Sequence, residues 1–246
     1  METKNTPPEN FDVADFAARH PVGFCRLPEN FSALPTLGAP TAYCSPDRLD
    51  MRDCCGPAED QGSNPWCAAY AATSWAESVL WRKSGKYAHL DPETVYKWAK
   101  QHDGDPDGDG TTLVAVLDAL LADKTFDPQV CRVRTIAPSA KMLRYAIHRF
   151  GTVLVGFDVS DEWYRCRDGI ETDEDGNPVI TGLAQRPLIG GHAIVACGYN
   201  DTGLVIQNSW GAAWGHYGFA CIAWREVERA FMYGSVLDRC LDGFKA

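Results

Sequence analysis

The sequence predicts an α+β protein in which helices occupy the first part of the chain and strands the second. Two observations carry this prediction. Between about residues 60 and 150, apolar side chains recur at the three- and four-residue spacing of a helix. From residue 152 onward, short runs of β-branched and apolar residues are bounded by Gly, Asn and Asp, which is typical of strands. We therefore expect a helical lobe over about 60–150 and a β lobe over about 151–246.

Each predicted helix begins at a residue that favours a helix N-terminus. A polar side chain there accepts backbone N–H groups of the first turn, and proline is tolerated just after it. Gly85 can end the first helix, because glycine readily adopts the left-handed conformation found at helix C-termini. The start signals are Asn64-Pro65, Asp91-Pro92, Thr112 and Ser139, and the predicted strands are 152–159, 193–199, 203–207 and 217–223.

The composition excludes several classes of protein. The 246 residues are 45% hydrophobic and 23% charged, which rules out a disordered chain, a collagen and a coiled coil. Lys and Arg total 23 against 33 Asp and Glu, for a net charge of −10. An acidic chain without a basic block is a poor candidate for binding nucleic acid or an anionic membrane, so we expect neither partner. We expect a monomer.

The sequence contains no recognisable targeting or membrane segment. No stretch approaches the roughly 20 apolar residues of a membrane helix. The first ten residues lack a basic region followed by an apolar run, so they do not form a secretory signal peptide. We therefore expect a cytoplasmic protein or one exported by a route that needs no such signal, unless the chain has already been processed.

The cysteines allow two interpretations. None of the ten has the C-x-x-C spacing of a structural zinc site, so we expect no metal. If one of them is a working thiol, the remaining nine cannot all pair. The chain is then either mostly reduced or contains a few disulfides among Cys25, Cys44, Cys54, Cys55, Cys131 and Cys166.

Residues 1–47 form a proline-rich N-terminal segment that precedes the main domain at 48–246. Seven of the fifteen prolines fall within residues 1–46, which excludes long helices there and favours extended chain. Two arrangements fit this composition. The segment drapes over the domain, which we favour, or it forms a strap or inhibitory pro-segment across the active site.

Three residues could carry chemistry, although each alone is better explained as a structural residue. Cys67 lies in the first turn of the best predicted helix, where free N–H groups and the helix dipole favour a thiolate. His192 stands at the mouth of an apolar strand beside Gly191. Asn208 ends another apolar strand, next to a tryptophan.

Together these residues suggest nucleophilic acyl chemistry. An imidazole can take the proton of a cysteine near neutral pH. The carbonyl of an asparagine can orient that imidazole as well as a carboxylate can. The tetrahedral oxyanion needs N–H donors, which the backbone of Cys67 and the side-chain amide of Gln61 can supply.

These residues lie in segments that resemble the papain-like cysteine peptidases. The separations also fit, since Gln61 precedes Cys67 by six residues and His192 precedes Asn208 by sixteen. The resemblance covers about residues 48–224, and its most specific part is the Asn-Ser-Trp-Gly segment with its paired histidine. The matching segments are 60–71 (DQGSNPWCAAYA), 191–199 (GHAIVACGY) and 206–215 (IQNSWGAAWG).

The resemblance implies a fold and a role for each residue. The family fold has a helical N-terminal lobe, an antiparallel β C-terminal lobe and an active-site cleft between them. By resemblance, Cys67 is the nucleophile, His192 the base and Asn208 the residue that orients the base. Gln61 and the Cys67 N–H would form the oxyanion hole, and no cofactor is implied. Trp210 would cover the Asn208–His192 hydrogen bond, and the substrate-binding residues would be Gly110, Thr111, Thr112, Gly191, Ala193 and Trp214.

Some positions depart from the family pattern. Asn64-Pro65-Trp66 stand where the family usually has Cys-Gly-Ser, so the disulfide ending there is absent. Gly191 replaces an Asp or Asn often found before the histidine. These differences affect specificity more than chemistry. The lead of about 48 residues is shorter than the family's usual helical propeptide, as in several bacterial relatives, which suggests a bacterial member.

We therefore predict a cysteine endopeptidase that hydrolyses peptide bonds through a thiolate–imidazolium pair and an acyl-enzyme. Its partner would be a protein or peptide substrate. One alternative keeps the fold and changes the substrate: a deamidase or acyltransferase that acts on a partner protein. The other alternative is a binding module with a dead site, and the intact set of four site residues weighs against it.

Overall fold

Most helices precede the strands in the structure, a computed structural model that describes residues 12–22, 35–38, 42–126, 132–166, 171–182 and 187–238. The helices are α1 (Val13–Arg19), α2 (Cys67–Ser84), α3 (Pro92–Lys100), α4 (Leu113–Ala122), α5 (Ala140–Phe150) and α6 (Trp224–Ala230). The strands are β1 (Leu49–Asp50), β2 (Arg132–Ile136), β3 (Val153–Val159), β4 (Val179–Ile180), β5 (Gly190–Tyr199), β6 (Gly203–Gln207), β7 (Phe219–Ala223) and β8 (Phe231–Asp238).

Three of the four predicted helix starts are confirmed. The Asp91 carboxylate accepts the backbone N–H groups of the first turn of α3. Thr112 and Ser139 accept one such N–H group at the starts of α4 and α5. Gly85 ends α2 at a φ of 68°, a left-handed conformation in which side chains with a Cβ are disfavoured.

The predicted cap at Asn64 is wrong, because α2 begins three residues later, at Cys67. Trp66 occupies the N-cap position and makes no side-chain hydrogen bond to the helix. The Asn64 N–H donates to the Gln61 carbonyl, and the Asn64 carbonyl accepts the Gln61 side-chain amide. These two bonds hold Asn64 in the turn that precedes α2. Asn64 is therefore not at the N-cap position of the helix.

The strands form one eight-stranded sheet, in which β5 is the central element. The order is β2-β8-β3-β5-β6-β7-β4, and the short β1 also pairs with β5. The neighbouring strands run antiparallel except β4 and β7, which are parallel. The expected α+β fold with an antiparallel β lobe is therefore confirmed. The predicted strand at 203–207 matches β6 residue for residue.

Six of the described elements were not predicted from the sequence: the helices α1 and α6 and the strands β1, β2, β4 and β8. Strand β2 lies within the part of the chain expected to be helical, and it pairs along its whole length with β8 near the other end. Helix α6 interrupts the β half between β7 and β8. Helix α1 lies in the proline-rich segment, where Asp12 caps it and its seven residues end before Pro21.

Helix α2 packs against β5 and carries a large part of the core. Trp75 is 2% exposed, and its indole N–H donates to the carbonyl of Thr152 at 3.0 Å. Ser78, one turn later, is hydrogen-bonded to the hydroxyl of the same Thr152. Because α2 is anchored to the chain just before β3, its first turn has a fixed position relative to the sheet.

Seven cysteines lie in the part of the chain that the structure describes, and all seven are free thiols. The possible disulfides that involve Cys25 or Cys131 lie outside the described residues. Of the described helices, none combines the length and the apolar character needed to cross a membrane.

Gly203 offers a test of the packing between β6 and β7. A Cβ at this position would lie 2.1 Å from the backbone oxygen of Ile222, which cannot move without shifting β7. We expect Gly203→Ala to lower the free energy of unfolding by about 2 kcal/mol or more. Gly38 is the matched control, since a Cβ there has no atom within 4 Å.

Urea unfolding measures both variants. Gly38→Ala should stay within about 0.5 kcal/mol of the parent. Equal stability of Gly203→Ala and the parent would contradict the tight approach of the two strands.

Candidate active site

His192 and Asn208 meet where two neighbouring strands of the sheet end. His192 lies near the start of β5, and Asn208 follows the last residue of β6. The ring Nε2 of His192 and Oδ1 of Asn208 are 2.7 Å apart, and both residues are buried. The Ser209 backbone N–H donates to the same Oδ1 at 2.8 Å. Since a backbone N–H can only donate, this bond identifies the atom facing His192 as the amide oxygen.

The identity of that oxygen fixes the tautomer of His192. Nε2 must carry a proton in order to donate to Oδ1, so the neutral ring has its lone pair on Nδ1. Nδ1 is buried and has no hydrogen-bond partner among the described residues. The ring is therefore oriented by one nitrogen and can accept a proton on the other.

Aromatic side chains enclose the His192–Asn208 pair. The rings of His192 and Trp210 are 4.8 Å apart, as expected if Trp210 covers the pair. Trp163 approaches the histidine edge-on at 6.0 Å, and the indole of Trp214 donates to the Trp163 carbonyl. Burial lowers the pKa of His192 to about 4, although the hydrogen bond to Asn208 acts in the opposite direction. In this enclosed state His192 is neutral at neutral pH.

Cys67 is the first residue of α2, the helix that packs against β5. It is 1% exposed. Unbonded backbone N–H groups at a helix start carry partial positive charge, which stabilises a thiolate relative to a thiol. The fold therefore delivers the predicted nucleophile and the predicted base from different elements, a helix start and a strand start.

Gln61 is held by the same segment that contains Asn208. Its backbone N–H donates to the Ser209 carbonyl, and its side-chain Oε1 accepts the Ser209 hydroxyl at 2.7 Å. Because Oε1 is bonded to Ser209, the Nε2 of the same amide group points away from Ser209. Nε2 donates to the carbonyls of Asn64 at 2.9 Å and Pro21 at 3.4 Å.

The predicted substrate-binding residues are buried. The Gly110 carbonyl accepts the ammonium group of Lys100 at 3.0 Å. Two residues after Thr111, the backbone N–H of Leu113 donates to the hydroxyl of Tyr233 on β8. Strand β8 pairs with β3, and β3 pairs with the part of β5 that contains Gly191 and Ala193. The glycine–threonine stretch is thus joined to the sheet at β8, which β3 separates from the strand that carries His192.

The described residues 12–22, which we name the N-terminal strap, reach the site residues. The carbonyl of Pro21 accepts the Gln61 amide, as noted above. Val22 packs closely on Gly190: a Cβ atom added to Gly190 would lie 2.9 Å from Cγ2 of Val22. The carbonyl of His20 accepts the hydroxyl of Tyr164 at 3.0 Å.

Phe16 and His20 anchor the strap. Their rings stack at 4.1 Å, and the Phe16 ring meets Trp210 edge-on at 6.1 Å. The ring of His20 is hydrogen-bonded to Asp60 Oδ1 at 3.0 Å. Both residues are buried, so this part of the N-terminal segment packs against the residues around the site.

Several residues of the site were not found from the sequence. Ser209 orients both Asn208 and Gln61, and its place beside Asn208 in the matching segment is the signal that could have identified it. Tyr164 stacks on Trp210 at 4.9 Å, and Trp163 accepts the Trp214 indole. Neither of these two lies in a matching segment, so only the fold reveals them.

Comparisons with known proteins agree with this geometry. The family model described as papain family cysteine protease matches residues 121–234, which include His192 and Asn208. Cathepsin K from Mus musculus is 25% identical over 205 residues, 72% of this chain and 60% of the mouse protein. The chain therefore spans about three fifths of the length of this relative.

Two solved structures show the same fold. Xylellain, a cysteine protease from Xylella fastidiosa, matches with a TM-score of 0.70 at 16% identity, over 89% of this chain and 97% of xylellain. Procathepsin B S9 from Trypanosoma congolense matches with a TM-score of 0.66 at 14% identity, over 93% of this chain and 89% of that protein. The chain is thus similar to the papain family of cysteine proteases over residues 121–234, and its fold is that of the solved cysteine protease xylellain.

Proposed function

We propose that the chain is a cysteine endopeptidase in which Cys67 is the nucleophile and His192 the base. The observation that supports this most directly is the buried 2.7 Å hydrogen bond between His192 and Asn208. It leaves one ring nitrogen free to accept a proton, on the strand against which the Cys67 helix packs. The substrate would be a protein or peptide.

The reaction begins with a proton transfer from the Cys67 thiol to Nδ1 of His192, which gives a thiolate and an imidazolium. The thiolate attacks the carbonyl carbon of a peptide bond, and the carbonyl oxygen becomes an oxyanion. The imidazolium then protonates the leaving amine as the C–N bond breaks, which leaves an acyl-enzyme. Water, deprotonated by the same imidazole, hydrolyses the thioester and restores the thiol.

The oxyanion would be bound by the Cys67 backbone N–H and by Nε2 of Gln61. Ser209 supports this role, because its bond to Oε1 holds the amide with its N–H groups turned away from Ser209. In the structure Nε2 already faces a peptide carbonyl, that of Pro21. We interpret the Pro21 carbonyl as standing where the carbonyl of a substrate would bind.

The N-terminal strap would then act as an occupant of the cleft. Its carbonyl at Pro21 uses a donor of the oxyanion hole, and Val22 fills the space in front of Gly190. The match to a procathepsin over 93% of this chain supports an N-terminal segment of this kind. Hydrolysis would require the strap to leave, by movement or by cleavage.

The enclosure of the site also disfavours the first proton transfer, from Cys67 to His192. A neutral His192 with a pKa of about 4 cannot form a stable imidazolium at neutral pH. Admitting water to the cleft would reduce the desolvation of the ring and raise the pKa of His192. Release of the strap would therefore both open the cleft and favour the thiolate–imidazolium pair.

Replacement of Cys67 tests the nucleophile. We expect Cys67→Ala to reduce peptide hydrolysis by at least about 10³-fold, because no other group of the site can form the thioester. Cys54→Ala is the control, since that thiol lies outside the site and should leave hydrolysis intact. A thiol-directed epoxide followed by mass spectrometry should label Cys67.

A peptide library separates the rival functions in the same experiment. Broad cleavage by the parent chain would argue against a deamidase or acyltransferase, and labelling without any turnover would favour a binding module. Wild-type hydrolysis by Cys67→Ala would show that the nucleophile assignment is wrong.

Weakening the strap tests its role in the cleft. Phe16→Ala removes a buried ring that contacts Trp210, so the open state should gain population. We expect kcat/KM for a small peptide to rise on the order of 10-fold. Asp15→Ala is the control, because Asp15 is on the exposed face of α1 and its described ion pair, with Arg19, is also exposed.

Unchanged cleavage by Phe16→Ala, with the variant folded as judged by circular dichroism, would favour a draped segment without an inhibitory role. Deletion of residues 1–46 provides a second measurement, and it should accelerate cleavage at least as much as Phe16→Ala does.

The low pKa of His192 predicts a pH dependence of stability. The folded state binds this proton only near pH 4, whereas the unfolded state binds it near 6.5. The contribution of His192 to the free energy of unfolding is therefore fully present above pH 6.5. It decreases by about 3 kcal/mol as the pH falls to 4. Urea unfolding at several pH values should show a shallower acid-side decrease in His192→Gln than in the parent. Parallel curves for the two proteins would contradict the enclosed neutral histidine.

A further inference from the structure

Glu59, Glu77 and His89 converge away from the catalytic residues. Glu59 lies in the loop before Gln61, Glu77 lies on α2, and His89 lies in the loop between α2 and α3. One ligand atom from each residue lies within 4.8 Å of the others. Nδ1 of His89 is 3.2 Å from an oxygen of Glu59 and 3.2 Å from an oxygen of Glu77.

These spacings match those of ligands that share one metal ion. Carboxylate oxygens and imidazole nitrogens bind Zn²⁺ at about 2.0–2.2 Å. Two such ligands at the tetrahedral angle are separated by about 3.3–3.6 Å. The two distances from His89 are close to this value, so an ion could bind with little movement of the side chains.

The cluster combines two carboxylates with one imidazole. Glu77 is 1% exposed and Glu59 is 18% exposed, so two carboxylates share one largely dry site. Oε2 of Glu59 is buried and accepts no hydrogen bond from the described residues. A carboxylate oxygen buried without a donor lacks a partner that a cation would supply.

The neighbouring groups hold Glu77 in place as ligand carboxylates are commonly held. The Leu90 backbone N–H donates to Oε1 at 2.8 Å, and the Tyr87 hydroxyl donates to Oε2 at 3.1 Å. Such hydrogen bonds from outside the ligand set orient the ligands and raise metal affinity. His89 is 59% exposed on its side chain, which gives an ion a path from solvent.

We propose that Glu59, Glu77 and His89 form a binding site for a divalent transition-metal ion of the Zn²⁺ class. Glu59 can bind through both oxygens, which would give Oε2 a partner. The imidazole ligand favours Zn²⁺, Mn²⁺ or Co²⁺ over Ca²⁺ and Mg²⁺, which prefer oxygen ligands alone. Water would complete the coordination.

An ion at this site would connect two parts of the catalytic apparatus. The Glu59 carbonyl accepts the backbone N–H of Gly211, and Gln61 follows two residues later. Glu77 belongs to α2, the helix that begins at Cys67. The ion would thus clamp the Gln61 loop to the Cys67 helix, as a structural site. This inference does not depend on the proposed endopeptidase activity.

Thermal unfolding of the full chain with and without Zn²⁺ tests the proposal. The protein is first treated with a chelator and dialysed, then melted with Zn²⁺ added in steps up to about 100 times the apparent Kd. We expect Tm to rise on the order of 5 °C at saturation. Elemental analysis by mass spectrometry should find about one more zinc ion per chain than in His89→Ala.

His89→Ala and Glu59→Gln should each abolish most of the Tm increase, and neither removes a buried apolar side chain. His102→Ala is the matched control, because His102 is an exposed histidine that stacks on Trp98 instead. This variant also accounts for zinc bound by cysteines, which all the proteins share. An equal Tm increase in His89→Ala and the parent, or no increase in the parent, would overturn the site.

Discussion

The hydrogen bond between His192 and Asn208 is the interaction on which the arrangement of the site depends. It exists because β5 and β6 are antiparallel neighbours, so the residue after β6 lies beside the start of β5. Ser209 turns the Asn208 oxygen toward the ring, and Trp210 covers the pair. Without the fixed register of these two strands, Nδ1 of His192 would have no defined direction.

The aromatic cover has two effects that oppose each other. Excluding water strengthens the bond between His192 and Asn208, because hydrogen bonds are stronger in a medium of low polarity. The same exclusion disfavours the charged ring and lowers its pKa to about 4. The rings of Phe16 and Tyr164 extend this cover from Trp210. An aromatic enclosure that fixes the orientation of the His192 ring therefore also disfavours protonation of that ring. Both a fixed orientation and a protonated ring are possible only if part of the enclosure can move away.

Local signals in the sequence predicted most of the fold. Three helix starts and β6 follow from capping residues and periodicity, which depend on neighbours in the chain. Strand β2 could not be found in this way, because its partner β8 lies about 100 residues later. The predicted cap at Asn64 was wrong because the Asn64 carbonyl is hydrogen-bonded to the side chain of Gln61. Gln61 is in turn held by Ser209, which lies far along the chain. The resemblance of motifs and their spacing supplied the candidate catalytic residues, whereas the cluster of Glu59, Glu77 and His89 has no regular spacing that would reveal it.

The strap is part of the same chain as the site that it contacts, and this attachment affects how any added molecule would reach the cleft. A tethered group has a local concentration, typically millimolar for a short flexible connection, that does not change when the protein is diluted. Dilution would release a separate inhibitor from an enzyme, whereas the strap in the proposed closed state would stay in place. A ligand for the cleft would compete with it at every protein concentration, so its measured affinity would be lowered by the fraction of molecules that are closed.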